Sequence, residues 1–272
     1  VLLIVIRRIS SFACSRVVAA VDELTYCVVI GSEHPQHTTW LLNLVFSCNP
    51  ISLTSVVCKV LERIIKTQLT YFLTQSHQLC PHQFGFLQNS STTDQLLHST
   101  EKWTRILDEN SSLDIIYLDF SMAFDSVSHS KLFLKLSHVG VSGILLKWIK
   151  SYLSCRLQCV GINNAISPWS PVTSGMPQGF VLGPLLFIIY VNDLPDYIKY
   201  SEIVKYADDC KLHKSLTSPT DCLLLQSDLT AVENWSQTWQ LPLNPYKCNV
   251  LHMGKKDFRG SYRLQNQTLP IC

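Results

Sequence analysis

From Ile51 onward the apolar residues follow two rhythms, and the helices and strands they predict come in no strict alternation. Val56, Val57, Val60, Leu61, Ile64, Ile65 and Leu69 recur at three- and four-residue spacing, which predicts an amphipathic helix capped by Ser52, Thr54 or Ser55. Past the polar loop Cys80 to Phe86, the hydroxyl-rich stretch Ser90 to Asp94 precedes a second helix. Its predicted face is Leu96, Leu97, Thr100, Trp103 and Leu107, and Asn110 and Ser111 end it. The run Ile115 to Phe120 predicts a buried strand that carries Asp119 near its end. Leu132, Leu136 and Val139 predict a helix that Gly140 terminates, and Leu145 to Leu153 predicts the next. Leu157 to Val160 and Ser170 to Ser174 read as the arms of a hairpin, followed by the turn Gly175 to Phe180 and the apolar run Leu185 to Val191. A second strand, Ile203 to Tyr206, leads into Asp208 and Asp209. Asp221 to Trp239 has helical spacing, and Asn244 to Asn249 turns into a short strand, Val250 to Met253. Strands and helices mixed in this way predict an α+β fold, a largely antiparallel sheet covered by helices.

The start of the chain has no such rhythm. Val1 to Ile6 is apolar but stops at Arg7-Arg8, far short of the ~18 to 20 residues a membrane crossing needs. No basic segment precedes it and the chain does not begin with Met, so a secretory signal is not supported. Residues 17–30 are broken by Asp22 and Glu23. No membrane segment is predicted; Gly31 to Asn49, with neither a clear period nor a motif, is expected to be a loosely ordered lead-in, and residues 1–48 stay unassigned.

Composition narrows the classes. A chain of 272 residues with 47% hydrophobic and 15% charged residues can bury a sizeable core, which excludes wholesale disorder. The net charge of +2 provides no basic tail, so contact with nucleic acid must come from local charge. Lys59, Arg63 and Lys66 share a helix face that either tracks nucleic-acid phosphates or is simply solvated. Eleven cysteines, an odd number with no doubled C-x-x-C spacing, read as reduced, buried thiols in an intracellular compartment, not as zinc ligands.

The candidate chemistry lies in the acids that end the two buried strands. A carboxylate in a buried sheet is costly unless it is paired or metal-bound. Few carboxylates, completed by water and substrate phosphates, suit magnesium, so Asp119 with Asp208 and Asp209 points to two-metal phosphoryl chemistry. Taken singly, these residues have plainer readings. Asp119 and Asp125 would cap helices, Phe124 would be core, Gln178 would bond its own turn, and Lys247 would be a solvated amine. His129 is expected to stabilise the turn after Val127, and Trp235 with Trp239 to form a packing face.

In combination the motifs resemble the reverse transcriptase of non-long-terminal-repeat (LINE-type, jockey-like) retrotransposons. The resemblance rests on Leu118-Asp119-Phe120-Ser121 running to Ala123-Phe124-Asp125, Met176-Pro177-Gln178-Gly179 with Leu182-Gly183-Pro184, Tyr206-Ala207-Asp208-Asp209, and Asn244 with Lys247-Cys248. It covers roughly three quarters of the chain, in the family's order. It implies a right-hand polymerase fold, with fingers about 49–110 and 141–171, palm about 111–140 and 172–254, and a truncated tail, 255–272, where a thumb would follow. It also implies an RNA-directed DNA polymerase that binds an RNA template, a DNA primer and deoxynucleoside triphosphates, with two magnesium ions or manganese in their place. By the same resemblance, Asp119, the Phe120 carbonyl, Asp208 and Asp209 serve the metals, and Lys247 protonates the departing pyrophosphate. Phe124 screens the sugar, while Gln178 and Gly179 contact the nucleotide and template. Nuclear and cytoplasmic location follows from the family alone.

The chain departs from the family pattern at Asn49, at Leu87 to Asn89, at Met122 and at Phe180, where basic or small residues are usual. Each lost charge-assisted contact weakens polyphosphate binding by about 1.5 to 3 kcal/mol. A non-catalytic nucleic-acid-binding remnant of the same fold is therefore the alternative. A two-metal nuclease shares the acids but does not account for Phe124 or the Pro-Gln-Gly turn.

Overall fold

The computed structural model describes residues 26–30 and 56–272, except 89, 155, 163, 164, 167, 177, 178, 256, 257 and 259, with residues 26–30 and 158–166 described by backbone alone. The proposed caps Ser52, Thr54 and Ser55 and the nucleotide contact Gln178 lie outside the described residues. In chain order the elements are β1 (Tyr26–Ile30), α1 (Val56–Gln75), α2 (Thr92–Asp108), β2 (Ser112–Leu118), α3 (His129–His138), α4 (Gly143–Leu153), β3 (Leu157–Ile162), β4 (Ala165–Ile166) and β5 (Ser170–Pro171). They continue with α5 (Gly183–Tyr190), a 3-10 turn (Leu194–Tyr197), β6 (Glu202–Tyr206), β7 (Asp209–Leu216), α6 (Pro219–Trp239), β8 (Asn249–Met253), β9 (Arg263–Leu264) and β10 (Gln267–Thr268). The chain forms two compact units: residues 1–76 with 129–186, and residues 77–128 with 187–272.

The second unit is built on a sheet of order β6-β7-β2-β8, antiparallel throughout. β2 is central because Leu113, Ile115, Ile116 and Leu118 bury apolar side chains on both of its faces, which only a covered strand does. Leu113 and Ile115 pack against Trp103 and Ile106 of α2. On α6, Trp235 meets the Phe120 ring edge-on at 6.2 Å, which makes it a core residue as expected. A Ser218/Asp221 capping box starts α6. Asp228 on α6 is buried and accepts from the backbone N–H groups of Lys199, Tyr200 and Ser201 at 3.0, 2.8 and 2.7 Å, fixing the entry into β6. Residues 255–272, expected as a tail, contain the β9–β10 hairpin and bury Tyr262, Leu264 and Leu269.

In the first unit β1, within the unassigned residues 1–48, runs parallel to β3, while β4 and β5 pair antiparallel with β3; the lead-in expected over 31–49 lies outside the described residues. The predicted hairpin exists, but its second arm is short. Gly140, at φ +88°, ends the α3 region, and a Cβ there would meet the Phe72 ring at 3.4 Å. Phe180, in place of the family's small residue, is buried with the Arg156 guanidinium 4.3 Å above its ring and Tyr152 beside it. Its bulk is absorbed by packing.

Two expectations need correction. The predicted apolar face of α1 is largely open, since Val56, Val57, Val60 and Ile64 are 77, 71, 48 and 42% exposed while Glu62, Leu69 and Leu73 are buried. Periodicity locates a stripe but not what covers it, and here the inward line is turned so that a carboxylate can reach backbone N–H groups. Leu96 and Leu97 of α2 are likewise exposed, and Gln95, Ser99 and Trp103 face inward. The run 185–191, left without a type, is helix α5, and the segment after Asp208 is the strand β7.

Candidate active site

β6 and β7 form a hairpin whose two-residue turn is Ala207-Asp208, with Tyr206 paired to Asp209. Ala207 sits at φ 57°, a left-handed conformation that a non-glycine residue holds only when its surroundings impose it. β7 pairs with β2 through Leu118 and Cys210, so one further step of this register sets Asp119 beside Asp209. Sheet topology thus brings together the acids that the sequence marks as separate strand ends.

Asp119 is held by its own backbone. Its N–H donates to the Cys248 sulfur at 3.3 Å and its carbonyl accepts from Asn244 N–H at 2.8 Å, while Phe120 bridges to Leu243. The turn bearing Asn244 and Lys247 is therefore fastened to the end of β2. Oδ2 of Asp119 is buried without a hydrogen bond, and the Lys247 ammonium stands 3.8 Å away. Burial, then the charges of Asp209 and Asp119, holds the Asp208 carboxyl above the ordinary carboxylate range. Asp119, Asp209 and Lys247 line a cleft of about 380 Å³ with Tyr117, Lys211 and Leu96. Asp208 stands in the turn and is not part of that lining.

The Phe120 ring is buried against Trp235, so its side chain is core. Phe124 lies flat on Phe187 at 4.4 Å, with Phe86 edge-on at 6.1 Å. Gly179, in the first unit, is exposed with φ +91°, a position that favours glycine. His129 Nε2 lies 2.8 Å from the Gly175 carbonyl and pins the start of α3 within that unit.

Sequence reasoning passed over several buried polar residues, among them Glu62, Lys205 and Gln83. Glu62 accepts from the N–H groups of Val181 and Leu182. Lys205 is fully buried and donates to the Val191 carbonyl at 2.8 Å. Gln83 is bonded to Ala207. The available signal was a charged or amide residue among apolar neighbours of one element, which marks a partner without saying where it is.

An antiparallel sheet with acids at the end of its central strand and in an adjoining hairpin, covered by helices, is the arrangement of a polymerase-type fold. The profile described as "Reverse transcriptase (RNA-dependent DNA polymerase)" matches residues 47–268, and the chain belongs to this family. It is similar to the probable RNA-directed DNA polymerase from transposon BS of Drosophila melanogaster, 34% identical over 74% of this chain and 23% of that protein. It is also similar to the RNA-directed DNA polymerase from mobile element jockey of the same organism, 31% identical over 74% of this chain and 23% of that protein. The chain therefore spans 23% of the length of these relatives. Among solved structures it resembles telomerase from Candida albicans in complex with a telomeric RNA fragment, with TM-score 0.53 and 15% identity over 76% of this chain and 37% of that one. Apo telomerase from Candida tropicalis, truncated from its C-terminal domain, gives TM-score 0.51 and 11% identity over 82% of this chain and 45% of that one. These likenesses show the polymerase fold.

Members of the family generally use divalent metal ions. Among the described residues no three His, Cys, Asp or Glu side chains converge to enclose an ion. The buried oxygen of Asp119 that accepts no hydrogen bond and the mutually repelling acids fit an open set of hard oxygen donors that water and phosphate would complete. Among the described residues no helix is long and apolar enough to cross a membrane.

Proposed function

We propose that this chain is the polymerising part of a retrotransposon reverse transcriptase, adding deoxynucleotides to a primer 3′ hydroxyl on an RNA template. The observation that carries the reading is the pairing register that brings Asp119 beside the Asp208-Asp209 turn. Residues of about 111–140 and 172–254 serve as palm, and those of about 49–110 and 141–171 as fingers. Asp119, the Phe120 carbonyl, Asp208 and Asp209 would hold two magnesium ions, or manganese in their place. When bound, such ions lower the pKa of the attacking hydroxyl and neutralise the departing pyrophosphate. Lys247 holds a proton on Nζ close to Asp119, where the pyrophosphate can take it. Phe124, fixed from behind by Phe187, sets a ring against the sugar and disfavours a 2′ hydroxyl. Gln178 and Gly179 contact the incoming nucleotide and template. By family habit the polymerase acts at chromosomal targets in the nucleus after synthesis in the cytoplasm.

Primer extension on an RNA template with magnesium and all four deoxynucleotides tests this reading. The chain should extend, and the Asp208→Asn, Asp209→Asn double variant should not. No extension by the folded, unmutated chain would overturn polymerisation and leave a nucleic-acid-binding remnant.

A further inference from the structure

We infer that Gln83 and Gly85 are positioning residues for the acid-bearing turn, through a brace that joins the loop after α1 to Ala207. The inference rests on the polymerase reading above and adds to it a pair of residues outside the motifs that carry the acids.

Gln83 is 3% exposed, a costly place for a carboxamide without partners. Its Oε1 accepts from Gly85 N–H at 2.8 Å and from Ala207 N–H at 2.9 Å, and its Nε2 lies 3.5 Å from the Ala207 carbonyl. One side chain thus ties its own loop to the turn beside Asp208. The backbone adds two rungs: Phe84 N–H donates to the Lys205 carbonyl and Lys205 N–H to the His82 carbonyl, each at 2.9 Å. These give the edge strand β6 a short parallel neighbour. Gly85 lets the loop close, since a Cβ there would lie 2.3 Å from the Ala207 nitrogen and 3.0 Å from its Cα. The left-handed φ of Ala207 is what such a brace would impose.

The chemistry also explains why the residue is an amide. A glutamate could accept the same two N–H groups, but it would add a negative charge next to acids that already repel one another. Glutamine satisfies the turn without raising the charge that the phosphates and ions must meet.

Hydrogen exchange followed by mass spectrometry on the chain as it stands tests the brace without requiring activity. Gln83→Met should speed exchange of a peptide covering residues 203–209 about tenfold, the effect of losing one hydrogen bond to a buried amide, with residues 112–118 unchanged. Gln83→Glu, which retains an acceptor oxygen, should keep the protection, whereas a role in packing alone would leave Gln83→Met, of similar size, protected as well. In single-nucleotide incorporation, Gln83→Met should lower kcat about tenfold and raise the magnesium midpoint, with the nucleotide KM within about twofold. Unchanged exchange in Gln83→Met, or faster exchange in both peptides, would overturn the brace. Faster local exchange with normal kcat and magnesium midpoint would overturn its catalytic role. An unmutated chain that incorporates nothing sinks the polymerase reading and that role with it, while exchange alone decides whether the brace exists.

Discussion

Glu62→Leu removes the one buried carboxylate that closes the start of α5. Glu62 is fully buried on α1, and its Oε2 accepts from Val181 N–H at 2.7 Å and Leu182 N–H at 3.0 Å. Those amides immediately precede α5, where helix N–H groups have no partner within the helix and the dipole favours an anion. Two charge-assisted bonds contribute about 3 to 6 kcal/mol, and the variant leaves both amides without that acceptor. Removing a buried charge and adding apolar contact returns roughly 1 to 3 kcal/mol. The expected net loss is about 2 to 3 kcal/mol. Glu62→Gln keeps an acceptor oxygen and should lose about half as much. Urea unfolding followed by tryptophan fluorescence reads the change, because Trp148 stacks on Tyr152 at 4.9 Å within the same unit. With a slope of roughly 3 kcal/mol/M, the midpoint of Glu62→Leu should fall by about 1 M. A midpoint within about 0.2 M of the unmutated chain, or a glutamine variant as weak as the leucine variant, would refute the reasoning.

Further expectations concern charge and aromatic packing. Burial and the neighbouring acids raise the Asp208 pKa, so its ionised form destabilises the fold above that raised value and the penalty disappears as pH falls through it. Asp208→Asn should therefore raise Tm at neutral pH, measured in EDTA, and abolish extension in magnesium, and a lower Tm would contradict this account. Burial pushes His213 down to about 4, so the unfolded chain binds the extra proton between about 6.5 and 4 and stability drops across that window as pH falls. The drop is on the order of 3 kcal/mol by pH 4, and His213→Phe, beside Trp103, should flatten it in acid-unfolding curves; an equally steep curve would exclude His213. Phe124→Val should admit ribonucleotides in primer extension with little loss of deoxynucleotide use, and unchanged sugar selection would remove Phe124 from that role.

What was legible in the sequence has a physical pattern. The acids of β2 and of the β6–β7 turn stood out because buried strands are apolar and a carboxylate at their ends is conspicuous. β7 was missed because Lys214 interrupts the apolar line of Cys210, Leu212 and Leu216, and Lys211 and His213 fill the other face, although His213 is buried. The run of α5 is apolar on all sides, so periodicity gives it no type. Glu62, Gln83 and Lys205 look like surface residues until distant segments supply their partners: Gln83 and Ala207 are 124 positions apart. Exposed Leu96 shows the converse, an apolar residue turned toward the cleft instead of the core.

Asp119 ends the central strand, with β7 on one side and β8 on the other, whereas Asp208 hangs from a hairpin whose outer strand is the edge of the sheet. Local opening spreads inward from sheet edges and reaches central strands last. The two halves of the acid set therefore sit on different tiers of stability, so that warming or an accumulating load of mild mutations dislodges the hairpin acids while the first acid stays in place. Over evolutionary time such a chain falls silent before it falls apart.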